Sequence, residues 1–171
     1  MSQNETHGER AGLRLREADA RDDDFLFALY ASTRRDEMAA WGMEGAQQEM
    51  FLRLQYRAQQ QRHAADGEQG RHQIILRGES AVGRIIVVRA PDEIRLADIA
   101  LLPEHRGGGF GSALIRDLQD EAARSRLPVR LHVARDNRGS ARLYERLGFA
   151  VTGDTGSHFK MEWLPPEFIP R

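Results

Sequence analysis

The residues best suited to chemistry lie together in Arg106-Gly107-Gly108-Gly109-Phe110-Gly111-Ser112. Successive glycines let main-chain N–H groups approach a ligand with no Cβ in the way. An apolar helical pattern starts at Phe110, so unpaired N–H donors and a partial positive charge fall at the same place. Together these form a cradle for a phosphate, and Arg106 adds a fixed charge. The same residues would also serve as a plain flexible connector. A Walker loop would end in Gly-Lys-Ser/Thr, which is absent. A G-x-G-x-x-G dinucleotide fingerprint read from Gly107 ends on Ser112, and several strands precede it. Read as an RGG-like segment it is a single copy in a chain of net charge −1, so no nucleic-acid partner is expected.

Other chemistries are missing from the residue inventory. There is no cysteine, which removes disulfides, thiolate metal sites and a cysteinyl acyl-enzyme. No two histidines stand at i and i+4, and no carboxylates have metal-loop spacing, so no metal is expected. No serine sits in G-x-S-x-G. Asp98 is conspicuous because it interrupts the apolar run Ile94 to Leu102, where a carboxylate without a purpose is costly.

The surrounding pattern must position these groups. Leu13 to Arg16 alternates as a short strand. Asp22, Asp23 and Asp24 precede a helix over about 22–32, their charges suiting its N-terminal dipole. Ser32 to Gly45 is mixed in character. A second helix is expected over about 46–63 with Phe51, Leu54 and Ala58 on one face, then a loop from His63 to Gly70. His72–Leu76 and Ala81–Val88 form a hairpin about Arg77-Gly78-Glu79-Ser80. Ile94–Leu102, apolar on both faces, reads as a covered central strand. A helix over about 110–125 follows the glycine loop. Val129, Leu131 and Val133 alternate after Pro128, Asn137 caps a helix to Leu147, and Gly148 is its C′ residue. Phe159 to Trp163 alternates as a last strand. The order β α α β β β α β α β β is that of one α/β domain.

The 171 residues suffice for one domain with a core. Residues 1–11 read as a disordered lead, 12–164 as the domain and 165–171 as a tail. With 25 basic and 26 acidic residues no global field gathers nucleic acid or an anionic membrane. No apolar run approaches the roughly 18 residues of a membrane span, and the polar N-terminus is unlike a secretory signal, so a cytoplasmic location is expected.

Two motifs in order carry a family resemblance. Arg106-x-x-Gly109-x-Gly111 matches the Q/R-x-x-G-x-G/A signature of the GCN5-related N-acetyltransferases. Asn137-x-x-Ser140-Ala141-x-Leu143-Tyr144-Glu145-x-Leu147-Gly148-Phe149 is similar to the second motif of that family, a helix and a strand further on. The resemblance is clear from Ile94 to Phe149. It implies a single-domain α/β fold with a mixed central sheet of about six to seven strands flanked by about four helices. It also implies acetyl-CoA as co-substrate and direct attack of an amine on the thioester within a ternary complex. By that resemblance Arg106 and the N–H groups of Gly107, Gly108, Gly109, Phe110, Gly111 and Ser112 would hold the pyrophosphate. Backbone groups of Leu101 and Leu102 would pair with the pantetheine where two strands splay, and Asn137 would contact that arm. Tyr144 would protonate or stabilise the departing thiolate, with a purely packing role as the competing reading. The base is open between His132, Asp98, Glu37 and a water chain.

The family takes its acceptors near the first two helices. Here Tyr30, Arg34, Glu37 and Trp41 stand as substrate-binding candidates, beside Arg35, Asp36 and Met43. The acidic residues suit a cationic amine and the arginines a carboxylate. The competing reading is a non-catalytic acyl-CoA-binding or partner-binding module on the same fold. A second copy of the chain could meet Phe159–Trp163 and the tail.

Overall fold

A computed structural model describes residues 10–65 and 70–168. Residues 1–9 of the expected lead, 66–69 of the expected loop, the last three tail residues and the Asp36 side chain lie outside that description. The described elements are β1 (Leu13–Glu17), α1 (Asp23–Ala40), α2 (Gly45–Ala65), β2 (Arg71–Arg77), β3 (Ser80–Arg89), β4 (Ile94–Leu101), α3 (Phe110–Ser125), β5 (Val129–Ala134), α4 (Arg138–Arg146), β6 (Ala150–Asp154) and β7 (His158–Trp163). The strands form a single seven-stranded sheet in the order β1-β2-β3-β4-β5-β7-β6. All its pairs are antiparallel except β4–β5, which is parallel.

Strand alternation divides the core in two. Ile85, Val87, Ile94, Leu96, Val129, Leu131 and Val133 pack with Leu114, Ile115 and Leu118 of α3 and Tyr144 of α4. Ile86, between two of these residues, is buried on the opposite face. A second cluster lies within α1 and α2, made by Phe27, Tyr30, Ala31, Met38, Leu52 and Tyr56. Tyr56 donates to Asp23 Oδ1 at 3.0 Å and accepts from Gln60, tying the two helices.

Three expectations about the helices need correction. α1 does not stop near residue 32 but runs to Ala40, through most of the mixed segment. Ser32 and Thr33 bond back to the carbonyls of Leu29 and Tyr30, which satisfies their hydroxyls without leaving the helix. Met38 then continues the buried stripe. On α2 the buried pair is Leu52 and Tyr56, while Leu54 is 59% exposed and Ala58 also faces solvent. A three-point apolar pattern was satisfied by either face, and packing on α1 selected the one carrying the tyrosine. α2 also continues to Ala65, past the expected start of its loop.

β4 is the fourth of seven strands, as a central strand should be, but its second half is only half-buried. β7 lies between β5 and β6, so the free main-chain edge at that end belongs to β6 and not to Phe159–Trp163.

Candidate active site

The half-buried stretch of β4 marks an opening in the sheet. β4 and β5 pair only at Ile94–Val129, Arg95–Arg130 and Leu96–Leu131. Beyond them β4 stays with β3 as far as Leu101 opposite Gly83. β5 instead continues along β7, with His132 opposite Lys160, Val133 opposite Phe159 and Ala134 opposite His158. The parting coincides with a bulge. Val87 faces Leu96 and Ile86 faces Asp98, so Ala97 is the extra residue that bends β4 away. The main chain of 97–101 thereby loses its partner on the β5 side. The expected splay between these two strands is present.

At the end of β4 the chain enters the glycine loop. Gly107 (φ +75°) and Gly109 (φ +81°) occupy the left-handed region that glycine favours, and nothing lies within 4 Å of where their Cβ atoms would be. The first main-chain bond of α3 is Ala113 N–H to Gly109 O at 3.0 Å. The N–H groups of Gly107 to Ser112 lie ahead of it and donate to no main-chain carbonyl among the described residues. Open space above unpaired donors at the start of a sixteen-residue helix suits a phosphate, so these residues fit the diphosphate of coenzyme A. The Arg106 side chain folds back, Nε donating to Leu101 O at 2.9 Å. That carbonyl is therefore committed within the chain, and an amide arm lying along β4 meets the remaining main-chain groups of 97–101 or displaces Arg106. Leu102 N–H is committed as well, to Val82 O.

Tyr144 lies on α4 with its ring against Phe149, centroids 5.7 Å apart, and the residue is 7% exposed. The ring is a core group, as the packing reading expected. Its hydroxyl has no hydrogen-bond partner among the described residues. Burial pushes the phenol up to about 12, and the negative charge of Asp98 acts in the same direction. Tyr144 is therefore a protonated donor within reach of the Asp98 field. Asn137 caps α4 by accepting from Ser140 N–H at 3.2 Å through Oδ1, which leaves its amide N–H groups available to a ligand.

Asp98 pairs with Arg84 of β3, whose Nε and Nη2 both donate to Asp98 Oδ2, at 3.0 and 2.7 Å. His132 belongs to another neighbourhood. It lines a groove of about 310 Å³ with Glu93, Arg95, Arg130, Thr152 and Lys160. Burial lowers its pKa first, and the charges of Lys160, Arg95 and His158 lower it further. Asp98 and Tyr144 are not among the groups acting on it.

Of the acceptor-side candidates, Tyr30, Arg34 and Glu37 lie together on α1. Tyr30 is buried with its ring 5.6 Å from Tyr56, and Arg34 lies over the Tyr30 ring at 5.4 Å while facing Glu37 at 3.9 Å. Trp41 follows the end of α1 and is 60% exposed, not packed on the sheet. Sequence reasoning missed Arg84. Its only signal was a lone arginine inside the apolar run Val82–Val88, and its partner is 14 positions away.

A bulged, splayed parallel pair followed by a glycine loop at a helix start is the arrangement that the family resemblance implied. The sequence model of the acetyltransferase (GNAT) family matches residues 24–149, and the chain belongs to that family. Solved structures share the fold. The PaiA N-acetyltransferase from Thermoplasma acidophilum in complex with coenzyme A superposes with a TM-score of 0.66 at 19% identity, over 89% of this chain and 98% of that one. The spermidine N-acetyltransferase from Vibrio cholerae in complex with CoA and spermine gives 0.59 at 24% identity, over 92% and 98%. Ard1 from Thermoplasma volcanium gives 0.59 at 21% identity, over 91% and 99%. The curated protein sequences compared with the chain include no match. No described helix is long and apolar enough to cross a membrane, and no group of three or more potential metal ligands occurs among the described residues.

Proposed function

We propose that this chain is an acetyl-CoA-dependent N-acetyltransferase that moves the acetyl group to a primary amine by direct attack in a ternary complex. The observation that carries the reading is the combination of three features. These are N–H groups at Gly107–Ser112 that meet no main-chain carbonyl, a stretch of β4 at 97–101 with no strand on its β5 side, and a protonated Tyr144 hydroxyl with no partner among the described residues.

When bound, the thioester supplies an acyl carbon open to attack and a thiolate leaving group. The residues do the rest. The glycine loop and Arg106 neutralise the diphosphate, and Asn137 and the free groups of β4 hold the amide arm. Tyr144 donates its proton or a hydrogen bond to the departing sulfur. Asp98 receives the proton that the amine nitrogen must lose, or passes it to water. Of the candidate bases, Asp98 is favoured over His132 because its charge acts on Tyr144 whereas His132 answers to a separate groove. Glu37 is half-exposed and pairs weakly with Arg34 on α1.

The test is thiol release from acetyl-CoA across a panel of aliphatic amines, with mass spectrometry of the amine products. Acetylated amine made by the wild-type chain and lost in Tyr144→Phe supports the reading. Acetyl-CoA binding without acetylation of any amine would instead favour a binding module.

A further inference from the structure

Arg84 is a buried charge in an apolar stretch of the sheet. It lies in β3 within Val82–Val87, a stretch that is buried throughout, and is itself 8% exposed. Taking a guanidinium out of water is costly, and an apolar side chain of similar volume is often neutral or stabilising at such a place. The charge is matched by Asp98, and both bonds from Arg84 end on the same oxygen, Oδ2. Oδ1 accepts no hydrogen bond among the described residues, and the Asp98 side chain is 35% exposed. Asp98 follows directly on the Ala97 bulge, where β4 parts from β5. A paired but half-open carboxylate is thus fixed at the mouth of the splay.

We propose that Arg84 is a positioning residue that presents Asp98 Oδ1 to an aliphatic amine arriving as its ammonium ion. The inference rests on the acetyltransferase reading and names the acceptor class for the same site. An alkylamine has a pKa near 10, so it enters as a cation with N–H donors for Oδ1. An arylamine enters neutral and offers Oδ1 only the weaker donors of an uncharged amine. The two bonds to Oδ2 remove the rotational freedom that Asp98 would otherwise lose on binding. Because Arg84 already balances the charge of Asp98, the hold on the ammonium is directional and short-range.

The experiment measures binding, not turnover, and uses the full chain. Coenzyme A is titrated first, into wild type, Arg84→Met, Arg84→Lys, Asp98→Asn and the Arg84→Met/Asp98→Asn double variant. Cadaverine, an aliphatic diamine with no carboxylate, is then titrated into each coenzyme A complex by calorimetry, with aniline as the neutral comparison. The expected result is coenzyme A affinity unchanged in all variants and cadaverine bound by wild type in preference to aniline. Arg84→Met and Asp98→Asn each weaken cadaverine about tenfold or more, the scale of one charged hydrogen bond. In the Asp98→Asn background Arg84→Met adds less than about twofold, because it acts only through Asp98. Arg84→Lys loses less than Arg84→Met and carries the same cycle if the methionine variant does not fold.

Cadaverine bound no better than aniline overturns the inference. So does an Arg84 effect of equal size with and without Asp98, which would mark a merely structural pair. Failure of the wild type to bind coenzyme A overturns the underlying acetyltransferase reading, and is seen in the first titration.

Discussion

Tyr144→Phe separates the packing role of this residue from its chemistry. The ring is buried against Phe149 and stays so in phenylalanine, and the hydroxyl has no hydrogen bond to lose among the described residues. At pH 7 the substitution should therefore change stability by less than about 1 kcal/mol. Alkaline pH is different. The folded phenol is pushed up to about 12 from its ordinary 10, first by burial and then by the Asp98 charge. The folded state thus holds its proton where the unfolded chain has released it, so the native form binds more protons between pH 10 and 12. Stability must fall as pH rises through that window, and below pH 10 this residue contributes no slope. Two units at 1.36 kcal/mol each give about 2.7 kcal/mol. Urea unfolding of wild type and Tyr144→Phe at matched pH values reads the difference directly. The wild-type curve should drop about 2–3 kcal/mol further than the variant between pH 10 and 12. The variant should also lose about a hundredfold or more in kcat with unchanged coenzyme A affinity, the usual scale of a general acid. Parallel pH–stability curves would refute the buried, unpartnered phenol, and an unchanged kcat would refute the acid.

Other expectations concern the frame around the site. Gly83→Ala would set a Cβ against Ala100 O and 2.8 Å from Leu101 Cδ2, so the end of β4 must shift. Overpacking of this kind costs about 1–3 kcal/mol, and denaturant unfolding should show it together with weaker coenzyme A binding. Asn137→Ala removes the cap on Ser140 N–H, worth about 0.5–2 kcal/mol. A coenzyme A affinity equal to wild type in that variant would limit Asn137 to capping. His132→Gln should leave kcat within about threefold, since its neighbours are Lys160, Arg95 and His158 and not Asp98. A hundredfold loss would return His132 to the role of base.

The second half of the chain was legible because its signals are local. Arg106 to Ser112 and Asn137 to Phe149 each place a loop, a cap and a helix start within a few residues, and every one of those elements is present. The order of strands and helices was likewise carried by alternation and turns. What sequence could not show depends on contacts between distant residues. The end of α1 is set by Met38 packing against α2, not by the charged run Arg34 to Glu37. The buried face of α2 follows from Tyr56 meeting Asp23, 33 positions away. The splay was expected from resemblance, but its cause, the bulge at Ala97, exists only in the register between β3 and β4. Asp98 was visible as an oddity in an apolar strand, where a carboxylate without a purpose is costly. That its partner is Arg84, on one oxygen only, is a matter of geometry.

On the proposed function, the cleft from the glycine loop to the splay holds a coenzyme A thioester. Thermal unfolding with acetyl-CoA, coenzyme A and NAD tests it most directly. A ligand at a hundred times its Kd stabilises the folded state by about 2.7 kcal/mol. For a domain of this size that raises Tm by about 5–10 °C. Such a rise is expected with acetyl-CoA and with coenzyme A, and none with NAD. No rise at millimolar acetyl-CoA, or an equal rise with NAD, would contradict it.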